Sequence, residues 1–343
     1  MWLQQASTMH LRPQKAGHKN TQVLVPCRRR VHLLSILAVV TLAIVIVIMG
    51  RIYRFPRAQP FTLQTGGAVS TSHSANQSSA GSQAVVAGTA AGTCLAFAPS
   101  RGNLHHTVYI DPGHGGIDPG TTGTTSAGVR VDEVRLSLAT GLQLMTLLRR
   151  DGYRVVMSRI DNRVLLRPTA DDLQEGALTP TGVRHDIEAR IDCANAAHAD
   201  ILVAIHFNAY DDPTVDGAET LYDPDRSFSA ASLRLATFVQ HAIVEQLRAA
   251  GRAAPDRGVK DDTTVGTPAL TAKGVAYGHL LELGPISPGW LDHPSTMPGI
   301  VSEPVFLTHS TGADIAASTH GQQVMAQGMA QGINAYFAAT SHS

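Results

Sequence analysis

Apolar and polar residues follow two different spacings in the second two thirds of the chain, and together these spacings predict alternating strands and helices. Apolar side chains recur at helical spacing in residues 133–150, 187–198, 229–250 and 322–337. Short apolar runs typical of strands occupy residues 106–111, 154–158, 201–205 and 275–281. The run ILVAI at 201–205 is continuous, as expected for a strand buried on both faces. Strands separated by helices predict an α/β fold in which a parallel or mixed sheet has helices on both sides.

The stretch ahead of this region has a composition that does not support a packed core. Residues 57–101 are rich in Ser, Ala, Gly, Thr and Gln, which bury too little apolar surface to offset the conformational entropy lost on folding. We therefore expect a flexible linker over residues 52–104, in which 85–95 could form a local strand or helix. The folded domain is expected to span residues 105–340.

One segment near the start of the chain is apolar enough to cross a membrane. Residues 33–50 carry no charged side chain, and a run of three arginines at 28–30 precedes them. More Lys and Arg residues precede this segment than follow it, which predicts a cytoplasmic tail at 1–30 and a transmembrane anchor at 31–51. The alternatives are a cleaved signal peptide and a buried core helix. An anchor would place the chain in the cell membrane, with the folded domain outside the cytoplasm.

Charge is distributed unevenly, although the formal net charge of the whole chain is zero. Residues 1–57 hold nine of the 27 Lys and Arg residues and no Asp or Glu. The rest of the chain is therefore acidic. Because binding to phosphates requires a clustered cationic face, we do not expect a nucleic-acid partner.

The three cysteines of the chain do not predict a disulfide framework. Cys27, Cys94 and Cys193 are few and widely separated. Cys94 falls in the expected linker, and Cys193 is interpreted as a small apolar residue within a buried helix. No metal site built from cysteine is expected.

Three ionisable residues lie where open α/β sheets collect their reactive groups, near the carboxyl ends of strands, and a fourth lies at the start of a helix. His114 follows the first predicted strand in the motif DPGHGG, whose glycines allow a tight backbone path. His206 ends the strand at 201–205, and Glu282 ends the strand predicted at 275–281. Glu133 opens the helix at 133–150.

Two imidazoles and one carboxylate form a donor set for zinc that leaves a fourth position for water or a substrate carbonyl. In this interpretation His114, Glu133 and His206 bind Zn²⁺, and the zinc activates a water molecule. Glu282 would then take a proton from water and pass it to the leaving amine. The spacing alone is weak evidence, because a core histidine or a carboxylate favoured by a helix N-terminus is the ordinary explanation for each residue. The residues by themselves leave a zinc hydrolase as one interpretation.

A resemblance to a known family adds to this interpretation. Eight motifs occur in order along the chain: IDPGHGGIDPGTTG, DEVRLSLATGLQL, GYRVVMSRIDN, IEARIDCANAAHADILVAIHFNA, DGAETLYD, the helix from Ser229, RGVK and HLLELGPIS. In this order they resemble the zinc-dependent N-acetylmuramoyl-L-alanine amidases, the cell-wall hydrolases of bacteria and their phages.

The resemblance implies a fold, a substrate and a role for each matching residue. The implied fold is a single α/β domain with a mainly parallel, twisted sheet, and the implied reaction cleaves the amide between N-acetylmuramic acid and L-alanine in peptidoglycan. The implied zinc ligands are His114, Glu133 and His206, with Glu282 as the catalytic acid and base. Arg190 matches a helix motif and is expected to pack that helix, with contact in the substrate groove as the alternative. Asn208 is expected to line the groove.

Two departures from the family bear on the rim of the site. Residues 165–184 form a longer connection than usual and predict a surface excursion near the cleft. A Pro-rich stretch follows Glu282, so substrate preference is left open. His185, His279 and His293 could approach the site, but we interpret each as a surface or core histidine.

Two other functions stay open from the sequence. One is a zinc peptidase that acts on stem-peptide cross-links, and the other is a non-catalytic wall-binding module of the same fold. A module of that kind usually lacks a ligand or the catalytic glutamate, whereas all four residues are present here. The sequence predicts no oligomeric state.

Overall fold

The structure is a computed structural model, and it describes residues 83–85, 93–264 and 271–340 of the 343-residue chain. The segment 33–50, in which the transmembrane anchor is predicted, lies outside the described residues. So does most of the predicted linker. Within the described ranges, no helix is both long enough and apolar enough to span a membrane.

The described ranges contain twelve strands. They are β1 (Gln83–Val85), β2 (Leu95–Phe97), β3 (Thr107–Pro112), β4 (Thr122–Thr124), β5 (Arg130–Asp132), β6 (Arg154–Met157), β7 (Leu173–Gln174), β8 (Ala177–Leu178), β9 (Ile201–Ile205), β10 (Ala218–Tyr222), β11 (Asp256–Asp261) and β12 (Gly299–Glu303). Eight of them form one sheet in the order β1-β2-β6-β3-β9-β12-β10-β11. The pairs β4-β5 and β7-β8 form two small separate hairpins.

The sheet is mixed rather than mainly parallel. Its central strands β6, β3, β9 and β12 run parallel to one another. At one edge β10 is antiparallel to β12, and β11 is parallel to β10. At the other edge β2 is antiparallel to β6, and β1 is antiparallel to β2. The α/β class is therefore confirmed, and the sheet combines four parallel central strands with antiparallel pairings on either side of them.

Helices cover both faces of the sheet, as the alternating pattern predicts. They are α1 (Glu133–Arg150), α2 (Pro180–Ala196), α3 (Ser229–Ala249), α4 (Ala272–Tyr277), α5 (Ser310–Ala317) and α6 (Thr319–Thr340). Buried residues of α1, α3 and α6 form one apolar cluster with one face of the sheet. Residues of α2 form a second cluster with the opposite face.

Strand β9 shows why its sequence is apolar at every position. Ile201, Val203 and Ile205 belong to the cluster beneath α1, α3 and α6. Leu202 and Ala204 point to the other face and pack in the cluster with α2. Since successive side chains of a strand alternate between faces, a strand covered on both sides has no position for a polar residue.

Helix α2 begins earlier than its apolar spacing predicts. The prediction was 187–198, whereas the helix spans Pro180–Ala196. The Thr179 hydroxyl caps its N-terminus by accepting a hydrogen bond from the Gly182 N–H at 3.0 Å. Proline is well tolerated at the first helical position because its missing N–H would have no partner there. Capping and proline therefore extend the helix into a segment whose apolar stripe is weak.

The strand predicted at 275–281 is wrong. Residues Ala272–Tyr277 form helix α4, which is capped by Thr271 and ended by Gly278 in the left-handed conformation (φ 73°). A left-handed residue interrupts an extended strand, and glycine adopts it at little cost. Strand β12, from the Pro-rich stretch, pairs with β9 in the sheet instead. Glu282 consequently lies in a turn and not at a strand end.

The folded domain begins before residue 105, where the sequence placed its start. Strand β2 pairs with β6, and Cys94 is fully buried in the cluster on the α2 face. Cys94 forms a disulfide with Cys193 of α2, with Cα atoms 6.2 Å apart. The interpretation of Cys193 as an apolar residue without a covalent partner is therefore wrong. A three-residue strand is too short to show a periodicity, and pairing of cysteines cannot be read from their spacing.

Removal of this disulfide should lower the free energy of unfolding. The bond closes a loop of 99 residues, and we expect a double Cys94→Ala and Cys193→Ala variant to lose about 3 kcal/mol in denaturant titrations. Reductant should destabilise the wild type to the level of the variant and leave the variant unchanged. A wild type whose unfolding midpoint is the same with and without reductant would contradict the pairing.

Candidate metal centre and cleft

The predicted zinc ligands converge because two neighbouring parallel strands end at the same edge of the sheet. Strand β3 ends at Pro112 and β9 at Ile205, and the Gly113 N–H donates to the Ile205 carbonyl at 2.9 Å. His114 and His206 follow these two strand ends directly. The third residue, Glu133, is the first residue of α1.

The three side chains form a compact donor set. One donor atom each from His114, Glu133 and His206 lies within 4.8 Å of the others. His114 Nε2 is 3.0 Å from Glu133 Oε2, and His206 Nδ1 is 3.0 Å from Glu133 Oε1. The two imidazole rings meet edge to face, with centroids 4.9 Å apart. Two nitrogens and a carboxylate in this arrangement match the donor chemistry of zinc.

Glu133 is the buried centre of this cluster. Its side chain is 3% exposed, and each carboxylate oxygen also accepts a backbone N–H, from Thr121 at 2.8 Å and from Phe207 at 2.9 Å. Burial alone would raise the pKa of Glu133, but the charge of His114 and hydrogen bonds from both histidines lower it below its ordinary value. The carboxylate therefore stays ionised and holds a negative charge at the bottom of the site.

The negative charge of Glu133 also changes the pKa of His114. Burial opposes its protonation, but the Glu133 carboxylate and a hydrogen bond to Asp118 outweigh that effect and raise the pKa of His114 to about 10. His114 Nδ1 lies 2.8 Å from Asp118 Oδ2, which leaves Nε2 to face Glu133. Holding one ring nitrogen with a carboxylate and turning the other toward the centre is the usual way of orienting a metal-binding histidine.

The imidazole rings of His114 and His206 fit only because two neighbouring residues are glycines without a Cβ atom. A Cβ atom at Gly120 would lie 2.6 Å from His114 Cδ2 and 2.7 Å from Glu133 Oε2, and one at Gly113 would overlap the His206 ring. His114 itself has a positive φ of 64°. A non-glycine residue takes this conformation at a cost in backbone energy, which is commonly tolerated at functional sites.

Two buried arginines hold the loop that carries His114. Arg190 donates to Asp111 Oδ1 at 2.6 Å, to the Pro112 carbonyl at 3.0 Å and to the His114 carbonyl at 2.5 Å. Arg159 donates to the carbonyls of Pro112 at 3.0 Å and Gly113 at 2.8 Å. Arg190 is only 2% exposed. Its guanidinium is engaged by the loop of His114, and Arg190 also lines the cleft, so both predicted roles of this residue stay open.

The cluster opens into a cleft of about 730 Å³ that Glu282 and Asn208 also line. Burial raises the pKa of Glu282, and the charge of His206 partly opposes the rise. Asn208 donates from Nδ2 to Glu219 Oε1 at 2.5 Å. The structure therefore brings Glu282 and Asn208 into the same cleft as the three predicted ligands.

The other sequence-predicted features have separate locations. Leu178 and Val183, from the long connection at 165–184, line the cleft, in agreement with an excursion next to it. His185 is hydrogen-bonded to Asp172 Oδ1 at 2.7 Å, and His293 is exposed at the surface. His279 lines the cleft but contacts a different acidic cluster.

Comparison with known proteins identifies the family of this chain. A family model described as N-acetylmuramoyl-L-alanine amidase matches residues 108–335, which is more than half of the chain. The chain belongs to this family. The match contains the two histidines and both glutamates discussed above.

Individual proteins and one solved structure are similar to this chain. The chain is 29% identical over 232 residues to YqiI of Bacillus subtilis, covering 67% of this chain and 84% of YqiI. It is 34% identical over 154 residues to the N-acetylmuramoyl-L-alanine amidase LytC of the same organism, covering 45% of this chain but only 25% of LytC. The amidase CwlD of Clostridioides difficile, solved in complex with the lipoprotein GerS, is similar in fold with a TM-score of 0.52. That likeness covers 68% of this chain and 99% of CwlD, at 21% identity.

Two further acidic residues line the cleft, and the sequence analysis singled out neither of them. Glu219 of β10 accepts from Arg257 Nε at 2.7 Å in addition to its contact with Asn208. Glu303, at the end of β12, has a buried Oε2 without a hydrogen-bond partner among the described residues. Burial and the nearby Glu133 and Glu219 raise the pKa of Glu303 well above its ordinary value. Glu219 stands in the motif DGAETLYD, but no pattern marked Glu303, because its strand was not predicted.

The glycine beside the cluster offers a matched test of the donor set. We expect Gly120→Ala to lower zinc affinity by at least about tenfold, since ligand-displacing changes typically cost 10–100-fold. Gly128→Ala is the control, because Gly128 also has a positive φ (79°) but an added Cβ there meets nothing within 4 Å. Both variants carry the backbone cost of the left-handed conformation, and only the first crowds the ligands. Equal zinc affinities, measured by competition with a chelator, would contradict the proposed ligand positions.

Proposed function

We propose that this chain is a zinc-dependent amidase that hydrolyses the bond between N-acetylmuramic acid and L-alanine in peptidoglycan. The observation that carries the proposal is the convergence of His114, Glu133 and His206 in one cleft that Glu282 also lines. Membership of the amidase family supports the same reaction. The curated match to LytC spans a quarter of that protein, so the activity of this chain is inferred from its own site as well as from the family.

The donor set fits zinc in its chemistry and in its surroundings. His114, Glu133 and His206 would hold the ion, and the glycines around them leave room for imidazole rings in this arrangement. When bound, zinc supplies Lewis acidity that lowers the pKa of water and polarises an amide carbonyl. A site with three protein ligands keeps a position for substrate, as catalytic zinc sites do.

Glu282 has the features of the general acid and base. Its carboxyl group lies in the cleft and is buried, which raises its pKa toward the range where it can both accept and return a proton. In the proposed reaction it accepts a proton from water as the oxygen attacks the amide carbon. It then donates that proton to the nitrogen as the C–N bond breaks. The products are the lactyl carboxylate of the glycan and the free amine of L-alanine.

The walls of the cleft suit a substrate with both apolar and charged parts. Trp290 and Tyr210 line it together with the cationic Arg257 and Lys260. Since the Glu219 carboxylate engages Arg257 at 2.7 Å, Lys260 is the cation better placed to meet a carboxylate of a stem peptide. Peptide recognition of this kind combines apolar contact with a few convergent polar groups.

Two other functions of the same site give different products. A peptidase acting on cross-links would leave the glycan–alanine bond intact, and a wall-binding module would release nothing. The presence of all three predicted ligands and Glu282 in one cleft favours catalysis over binding alone.

Replacing Glu282 should separate catalysis from metal binding. We expect Glu282→Gln to retain zinc and to lose about 10²–10⁴-fold in turnover of purified cell wall. The side-chain amide that replaces the carboxylate can neither take a proton from water nor return it to the leaving amine. Mass spectrometry of the digest should show free L-alanine amines on intact stem peptides in the wild type. Glu245→Gln, on the exposed surface of α3, is the matched control and should keep full activity. Normal turnover by Glu282→Gln would remove this residue from the mechanism, and cleaved cross-links with intact glycan–alanine bonds would indicate the peptidase.

We also propose that the chain is anchored in the cell membrane with its amidase domain outside the cytoplasm. The apolar segment 33–50 between arginine clusters supports the anchor. The Cys94–Cys193 disulfide supports the location of the domain, because such bonds persist in oxidising compartments outside the cytosol.

The anchor predicts where the full chain fractionates. The full chain should stay with membranes after alkaline carbonate washing, whereas a variant lacking residues 31–51 should be released. The intact mass of the membrane-bound chain should include residues 1–30. A mature chain that starts after the apolar segment and is found in the soluble fraction would contradict the anchor and indicate a cleaved signal peptide.

A further inference from the structure

A second cluster of metal-binding side chains lies apart from the three residues of the zinc centre. Asp223 directly follows β10, Asp262 directly follows β11, and His279 comes after the left-handed Gly278 that ends α4. Because β10 and β11 are parallel neighbours, their carboxyl ends bring the two carboxylates together. One donor atom from each of the three residues lies within 4.8 Å of the others.

The three donor atoms that face one another are buried and without hydrogen bonds. They are Asp223 Oδ2, Asp262 Oδ1 and His279 Nδ1. Asp223 is 2% exposed and Asp262 is fully buried. His279 Nδ1 is within ion-pair distance of Asp223 Oδ2 at 2.8 Å and lies 3.7 Å from Asp262 Oδ1, but the ring is not aligned for a hydrogen bond to either oxygen. Buried polar atoms without a partner cost about 1–3 kcal/mol each, so three that converge indicate a shared partner.

The remaining atoms of the same residues are held in place. The second oxygen of Asp223 accepts the Asp225 N–H at 2.7 Å, and the second oxygen of Asp262 accepts the Leu280 N–H at 2.9 Å. His279 Nε2 faces the carboxylate of Asp225 at 3.8 Å. Fixing the outer atom of each ligand so that the inner atom points to a common centre is typical of metal sites.

The cluster holds several negative charges that a bound cation would neutralise. Two buried carboxylates repel each other, and Asp261 adds a third negative group next to Asp262. The charge of Arg226 acts on Asp223 in addition to that of His279, but the hydrogen bonds of Arg226 go to the carbonyls of Leu283 and Gly284 and to Ser295. A proton shared between two of the donor atoms would still leave the third without a partner.

We propose that Asp223, Asp262 and His279 form a second site for a divalent transition-metal ion such as Zn²⁺ or Mn²⁺. Two carboxylates cancel the charge of such an ion, and one imidazole with two carboxylate oxygens is a donor set that both metals accept. Ligand atoms around one ion lie about 3–3.5 Å apart when each bond is about 2.1 Å long. The two separations from His279 Nδ1 lie on either side of this range.

The position of the second ion gives it a structural role. It would join the ends of β10 and β11 to residues 279–282, the segment that carries Glu282. The Leu280 N–H already donates to Asp262, so the ion would complete a connection that the chain has begun. This positioning role rests on the proposed function of Glu282, whereas metal binding at the cluster does not.

Metal counting on the full chain tests the site. Zinc-saturated protein, freed of loose metal by gel filtration, should contain about two zinc ions per chain by inductively coupled plasma mass spectrometry. Asp262→Asn and His206→Ala should each retain about one ion, and the double variant should retain none. Glu245→Gln is the control: its carboxylate lies on the exposed surface of α3 and contacts neither cluster, so this variant should retain both ions. Asp223→Asn provides the same measurement should Asp262→Asn not fold, as judged by circular dichroism.

The outcomes separate this site from the zinc centre. A wild type with a single ion that His206→Ala removes would overturn the second site and leave the proposed function intact. A wild type in which Asp262→Asn removes an ion but His206→Ala removes none would support the second site and remove the basis of the proposed function. The second site would also be overturned if the wild type binds zinc and both Asp262→Asn and Asp223→Asn retain as many zinc ions per chain as the wild type.

Discussion

The candidate centre depends on how the chain holds the backbone between Asp111 and His114. Two arginines that are almost fully buried, Arg159 and Arg190, donate to the carbonyls of this loop. Burying a guanidinium is costly unless nearly all its donors are used, and here carbonyls, hydroxyls and carboxylates use them. Loss of one acceptor would leave a buried charge without its partners, so the loop has little freedom to move. His114, with its positive φ, is held in a conformation that an isolated loop would leave.

A second constraint is that the Glu133 carboxylate joins a helix, a loop and the end of a strand. Glu133 opens α1, and its oxygens accept N–H groups from the β3–β4 connection and from the end of β9. The same oxygens face His114 and His206. The helix, the loop and the strand therefore meet at one negative charge, and their relative positions follow from satisfying it. Each imidazole nitrogen lies 3.0 Å from a Glu133 oxygen, close to the separation of two ligand atoms on one zinc ion, so the three side chains already have nearly the spacing of ligands.

The sequence predicted the parts of this arrangement that repeat over several turns or strands. Helix α1 and strand β9 agree with their predicted bounds because each has an uninterrupted apolar pattern. Strand β12 was missed because it lies within a Pro-rich stretch, between Pro298 and Pro304, and a strand was wrongly predicted at 275–281 instead. The ligand set was proposed from residue types at strand ends and at a helix start, and the family motifs supported it, because spacing alone is weak evidence for residues so far apart. Arg159 lies in the motif GYRVVMSRIDN and Glu303 lies in no motif, but only the folded chain shows what either residue contacts.

The sequence predicted that Glu282 lies near the three ligands, although it assigned a strand to residues 275–281 that the structure does not contain. The irregular backbone of segment 278–284 explains how Glu282 reaches the cleft without that strand. A strand would have directed successive side chains to opposite faces, whereas a turn can present a single carboxylate to the cleft while Leu281 and Leu283 are buried in apolar clusters. A turn has few backbone hydrogen bonds of its own, so its position must be fixed from outside. Arg226 holds the carbonyls of Leu283 and Gly284, and Asp262 holds the Leu280 N–H. The acid and base of the proposed reaction is therefore positioned by side chains from the edge of the sheet, at the ends of β10 and β11, rather than by the central strands that carry the histidines.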